Sequence, residues 1–183
     1  MLTHKGTVTI ETPRLILRQA EIRDADAMYK NWASDPEVTK FLTWPPHESP
    51  AASKERIAKW IEEYQKKDYY QWMIVLKEID EPIGSLCAIP DQRTESAQIG
   101  YCIGKQWWHQ GIMPEALGAV MDFLFDQVGC NRVEARHDPN NPNSGKVMAK
   151  CGMKYEGTHR QADRNNQGIC DCSFYGLLAS DRK

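Results

Sequence analysis

Eight residues carry the first chemical signal. Gln106-Trp107-Trp108-His109-Gln110-Gly111-Ile112-Met113 lies between a strand-like run, residues 97–103, and a helix that Pro114 is predicted to start. A helix N-terminus presents unpaired backbone N–H groups and the positive end of the helix dipole. That combination suits a pyrophosphate. Gly111 removes the side chain where a ligand would approach the backbone. Five consecutive amides, from His109 to Met113, can point at phosphate oxygens, whereas Pro114 has none to offer. Taken alone, the same glycine also fits a plain turn before a helix. Metal chemistry finds less support. Cys87, Cys102, Cys130, Cys151, Cys170 and Cys172 contain no C-x-x-C pair, and the histidines have no H-x-x-x-H spacing. The cysteines read as reduced, mostly buried thiols, and no metal is expected.

The elements that must position this turn follow from the hydrophobic pattern. Residues 14–18 read as a short strand. Asp24 reads as a helix N-cap, with Ala25, Met28, Tyr29 and Trp32 at helical spacing after it. Asp35-Pro36 starts a short helical turn, and Ser49-Pro50 starts a longer helix with Ile57, Trp60, Ile61 and Tyr64 as its apolar stripe. Three strands follow at 71–76, 83–89 and 97–103 and form an antiparallel meander. The helix after Pro114 buries Ala116, Leu117, Val120, Met121, Leu124 and Phe125, and Gly129 ends it. Residues 132–136 alternate as a strand. Asn141-Pro142 starts another helix, ending at Gly152. Strands at 155–159 and 169–178 close the chain around the segment 165–168.

Several blocks, in this order, resemble the GNAT acetyltransferases, and the RimJ/RimL branch in particular. They are Thr12-Pro13-Arg14-Leu15-Ile16-Leu17-Arg18, Asp24-Ala25 and Asp35-Pro36-Glu37-Val38. Ile99-Gly100-Tyr101-Cys102-Ile103 through Glu115-Ala116-Leu117 is similar to the family's CoA pyrophosphate motif. Asn131 to Arg136, Asp138-Pro139-Asn140-Asn141 to Ser144, and Lys150-Cys151-Gly152-Met153-Lys154-Tyr155-Glu156-Gly157 resemble the segments that follow it. The resemblance implies an α/β (α+β) fold: a mixed, mostly antiparallel sheet with helices on both faces. Two parallel strands, matching 97–103 and 131–137, splay apart and hold acetyl-CoA. By position Tyr101 and Ile103 supply the backbone that holds the pantetheine arm and donates toward the thioester oxygen, as preorganised donors to a developing oxyanion do. His109, Gln110, Gly111, Ile112 and Met113 supply the phosphate-binding amides, and Asn141 contacts the arm besides capping its helix.

The same resemblance assigns the proton transfers. Ser144, in the first turn of the helix after Asn141, matches the serine assigned to the leaving thiolate; otherwise it hydrogen-bonds the helix start or CoA. Gln161-Ala162-Asp163 aligns with a Gln-Ala-Glu whose Glu is the assigned base, so Asp163 is the candidate base. An ordinary Asp, with a pKa near 3.9, needs burial or a relaying water for that task. The other reading of Asp163 is a solvated loop acid among Arg160, Arg164 and Asn165. Glu134 is the fallback, though Arg132 and Arg136 flank it as salt-bridge partners. Three positions depart from the family pattern. Met113 and His109 are larger than the usual Gly or Ala, and Met148 stands where many members place a catalytic Tyr. Lys146 is either a CoA-phosphate contact or a solvated helix lysine, and Trp44 either a wall of the acceptor pocket or core.

Bulk composition bounds these readings. The chain of 183 residues predicts one domain, residues 1–183, large enough for its own core. A net charge of −2 argues against general nucleic-acid binding. No long apolar run predicts a membrane span, and the first ten residues lack the apolar stretch of a secretory signal, so a cytoplasmic location is expected. The acceptor is expected to be a protein N-terminus of the ribosomal-protein type, with a small amine (polyamine, amino acid or aminoglycoside) as the alternative. A CoA-binding module without catalysis is the third reading. A homodimer is common in the resembling branch, and nothing in the composition requires one.

Overall fold

A computed structural model describes residues 1–182. Its centre is an eight-stranded sheet ordered β1-β2-β3-β4-β5-β6-β8-β7. The strands are β1 (Ile10–Glu11), β2 (Leu15–Arg18), β3 (Tyr70–Leu76), β4 (Glu81–Asp91), β5 (Ser96–Ile103), β6 (Arg132–His137), β7 (Lys154–Asn165) and β8 (Gly168–Leu178). All neighbours pair antiparallel except β5 and β6, which run parallel. Five α-helices accompany them: α1 (Ala25–Met28), α2 (Pro36–Thr39), α3 (Pro50–Glu63), α4 (Ile112–Phe123) and α5 (Pro142–Lys150).

The two-residue period of β3 explains the layering. Every residue of β3 is buried. Trp72 and Ile74 face one apolar cluster, with Leu117 and Val120 of α4 and Met148 of α5. Met73 and Val75 face the other, with Met28 of α1, Trp32 and Ile57 of α3. A strand buried on both sides reads as a continuous apolar run, as this one does. The sheet thus carries α1 and α3 on one face and α4 and α5 on the other, as the family resemblance implied.

The helix starts obey local chemistry, with three corrections. Asp35 and Ser49 cap α2 and α3, each followed by proline. Asp24 does not cap α1. Its carboxylate turns back to accept two bonds from Arg18, both 2.8 Å, and the Glu21 amide, 2.8 Å. A buried carboxylate gains more from a bidentate guanidinium than from one helix amide. Helix α4 starts at Ile112, two residues before Pro114, with Gly111 as its N-cap. Proline is tolerated there because first-turn amides have no helical acceptor in any case. Asn141 is the N-cap of α5 by position, but its side chain bonds no helix amide.

The sheet opens between β5 and β6. The β5–β6 ladder covers only Ser96–Arg132 to Ile99–Ala135. β5 continues to Ile103 and β6 to His137 without pairing to one another. The connection from β5 to β6 passes through the turn ahead of α4 and through α4 itself.

Candidate active site

The turn at 106–113 has the backbone of an anion cradle. His109 and Gly111 both adopt left-handed conformations, with φ of 61° and 72°. Among the described residues, no amide from His109 to Met113 donates to a protein acceptor. Ile112 and Met113 bury their side chains in the core below the turn. The Met113 amide donates to no protein acceptor among the described residues and stays available despite the bulk of the side chain. The turn is braced from β2. The Arg14 guanidinium donates to the Gln110 carbonyl at 2.9 Å and to Glu115 at 2.6 Å. Thr12 adds its hydroxyl to Glu115, also at 2.6 Å. Burial pushes the Glu115 carboxyl up, but the bonds from Thr12 and Arg14 outweigh it and hold the group below its usual range.

From this turn a cavity of about 220 Å³ runs between the end of β5 and α5. Tyr101, Ile103, Gly111, Met113, Asn141 and Ser144 line it, and Lys146 and Lys150 stand on its α5 wall. The Ile103 carbonyl accepts from the Trp108 indole at 2.9 Å, which leaves less of Ile103 for a ligand than its position suggests. Tyr101 lies 3.0 Å from both the hydroxyl and the carbonyl of Ser144. Burial pushes the Tyr101 phenol above its ordinary range, although the Ser144 hydroxyl pulls the other way. The phenol therefore keeps its proton at neutral pH. Met148 is buried in the core and faces no cavity.

A second cavity, about 580 Å³, shares Phe41, Leu42, Tyr101, Cys102, Asn141 and Ser144 with the first. The shared residues mark where two ligands would meet. Asp163 lines this second space, as does Trp44. Asp163 is not on a loop: the segment belongs to β7, with a register shift between His159 and Asp163. Its oxygens are engaged by the Arg164 amide at 2.8 Å and the Arg136 guanidinium at 3.3 Å. Glu134 lies in neither cavity and pairs with Arg132 at 2.9 Å. His47 is held below the usual histidine range by burial and by Arg56. Burial likewise raises the Cys102 thiol to about 11, so it stays protonated.

Three residues in or beside this cavity were not singled out by sequence reasoning. Arg136 sits on β6 against Asp163. Asp138, just past the end of β6, is 8% exposed and lines the same space. Asn166, at the β7–β8 turn, donates to the carbonyls of Thr39 and Trp44, both at 2.8 Å, and so ties that turn to the loop that carries Trp44. Asp138 belongs to one of the blocks that carry the family resemblance, and nothing local in the sequence discloses its burial.

The free amides, the two lysines and the parted strands fit a ligand with a diphosphate head and a long amide-bearing arm. Comparison with known proteins agrees. Residues 14–154 match the model of the acetyltransferase (GNAT) domain. The uncharacterized N-acetyltransferase p20 of Bacillus licheniformis is 32% identical over 172 residues, 93% of this chain and 96% of its own. The [ribosomal protein uS5]-alanine N-acetyltransferase of Escherichia coli is 26% identical, over 82% of this chain and 80% of its own. Among solved structures, RimL, a ribosomal L7/L12 α-N-protein acetyltransferase in complex with coenzyme A, superposes with a TM-score of 0.83 at 21% identity. That match covers 96% of this chain and 100% of the other.

Proposed function

The chain belongs to the GNAT acetyltransferase family and is an acetyl-CoA-dependent acyltransferase, and we propose that its acceptor is an α-amine, that of a protein N-terminus. The observation that carries this reading is the charge of the acceptor cavity. Arg56, Arg136 and Arg164 line it against only Asp138 and Asp163. Among the described residues, Arg56 and Arg164 pair with no carboxylate. Such a space repels polyamines and aminoglycosides, which carry several positive charges. A single α-ammonium, followed by a peptide, meets no such penalty.

Proton chemistry supports the same choice. Acetyl-CoA supplies the activated acyl group and the thiolate that leaves. The amine must be neutral to attack. An α-amine with a pKa near 8 is about a tenth neutral at pH 7, whereas a lysine-like amine near 10.4 is almost wholly charged. Asp163, tied to Arg136, suits the modest task of steering a proton through water. Ser144, bonded to Tyr101, gives the proton that the leaving sulfur takes up. The uS5-alanine acetyltransferase among the relatives is consistent with an N-terminal acceptor.

One observation favours a second reading, a small amino-acid-like amine. Asn166 pins the loop that carries Trp44, a wall of the acceptor cavity, to the β7–β8 turn, and a fixed wall suits a small ligand. Thiol release from acetyl-CoA, measured against N-terminal peptides, free amino acids, spermidine and an aminoglycoside, decides between them. Turnover of peptides but not polycations is expected. Rapid turnover of spermidine would overturn the proposal.

A further inference from the structure

Asp138 is a carboxylate held out of water without a counter-ion. It is 8% exposed, and among the described residues no Lys or Arg lies within ion-pair range of it. Its Oδ1 accepts the Asn140 amide at 2.8 Å, and its Oδ2 accepts the Asn165 side-chain amide at 2.8 Å. Each carboxylate oxygen has two acceptor sites, so both keep one in reserve. Asp163, by contrast, has a guanidinium 3.3 Å away. Both aspartates line the 580 Å³ cavity, together with Tyr101 and Ser144.

A structural role accounts for half of this arrangement. The bond to the Asn140 amide is a turn that leads into α5. A serine or asparagine oxygen there would serve that turn as well. It does not account for a negative charge, because a buried charge without a partner is costly. A cationic ligand removes that cost.

Resting on the reading of this chain as an N-acetyltransferase, we infer that Asp138 is the docking residue for the acceptor's ammonium group in the second cavity. The carboxylate accepts an N–H of the incoming nitrogen, in its charged or neutral form. As the neutral amine attacks, positive charge grows on that nitrogen, and a fixed, desolvated carboxylate beside it stabilises the change. Asp138 thereby selects a single ammonium, while the arginines Arg56 and Arg164, which line the same cavity, exclude a second one.

The test uses a cation that cannot form a stable amide. N,N-dimethylglycinamide is largely protonated at pH 7, and 3-methylbutanamide is its uncharged carbon isostere. The affinity of each for the enzyme–CoA complex is read by ligand-detected NMR. The wild-type chain is expected to bind the cation at least about tenfold more tightly, the size of one charge-assisted contact of roughly 1.4 kcal/mol. Asp138→Asn and Asp138→Ser, the latter retaining an acceptor for the Asn140 amide, are expected to lose the preference while acetyl-CoA still binds. Asp163→Asn is expected to keep it. No preference in the wild type, or a preference that survives in a folded Asp138 variant, would overturn the inference. Failure to turn over any acceptor would instead count against the α-amine reading, because the NMR comparison needs no turnover.

Discussion

Tyr101 Oη lies 3.0 Å from Ser144 Oγ, across the point where the two cavities meet. The two hydroxyls form one hydrogen-bonded pair, contributed by the end of β5 that pairs with β4 but not with β6 and by the first turn of α5. The unit stands in the cleft, where Met148 could contribute nothing. Tyr101 also donates to the Ser144 carbonyl, which fixes the first turn of α5 relative to β5.

If the two groups act together, their losses do not add. Ser144→Ala and Tyr101→Phe are each expected to lower kcat by about 100-fold, the low end for a positioned acid. The double variant is expected to fall little further. Acetyl-CoA affinity, read by calorimetry, should change much less than kcat in the serine variant. A multiplicative loss in the double variant would separate the two roles.

The sequence disclosed the elements better than the atoms between them. The period-two and period-3.6 patterns placed seven of the strands and all the longer helices, because burial imposes those periods directly. Gly111 and Pro114 marked a turn before a helix, which is where α4 begins, and only the resemblance pointed that turn at a cofactor. Asn141, Ser144 and Asp163 were found through resemblance, and all three line the second cavity. Asp138 and Arg136 were not found. Their significance depends on which strand lies opposite, and the β7 register shift that brings Asp163 to Arg136 has no local signature. Asp24 failed as a cap for the same reason: its partner Arg18 lies on another element.

Gly145 supports the cleft by its lack of a side chain. A Cβ at this position would lie 2.7 Å from His137 Nε2 and 3.1 Å from Tyr175 Oη. His137 cannot yield easily, because its Nδ1 is held by the Asp138 carbonyl at 2.8 Å. Gly145→Ala is therefore expected to destabilise the fold by about 1–3 kcal/mol through overpacking. Thermal unfolding would register this, and acceptor KM would rise as α5 shifts from β6. A variant as stable as the wild type would mean that α5 can move freely.

Glu115 couples the cofactor turn to pH. Its folded pKa lies below the ordinary value of 4.5, so its bonds to Thr12 and Arg14 stabilise the fold above that pH. This contribution is lost as pH falls through the lowered value. Glu115→Gln is expected to cost about 1 kcal/mol at pH 7, since the pair is partly exposed. The melting temperatures of variant and wild type should converge well below pH 4.5. A gap that persists there would assign the effect to packing rather than charge.

His109 holds a left-handed backbone with a side chain other than glycine, as do Asp80, Glu95 and Gln161. Its φ of 61° is one that glycine adopts freely and that histidine tolerates at some cost. The side chain is exposed, and the useful group is the amide. His109→Gly relieves the strain but adds freedom to the unfolded chain by about 0.5–1 kcal/mol, so the net change in stability is expected to be small. Acetyl-CoA should bind it as tightly as the wild type, because no side-chain contact is lost. His109→Val places a β-branched residue in the left-handed region and is expected to lose roughly 1–3 kcal/mol of stability along with cofactor affinity. Calorimetric titration of both variants checks the backbone assignment. Loss of binding in the glycine variant alone would place the imidazole, not the amide, against the phosphates.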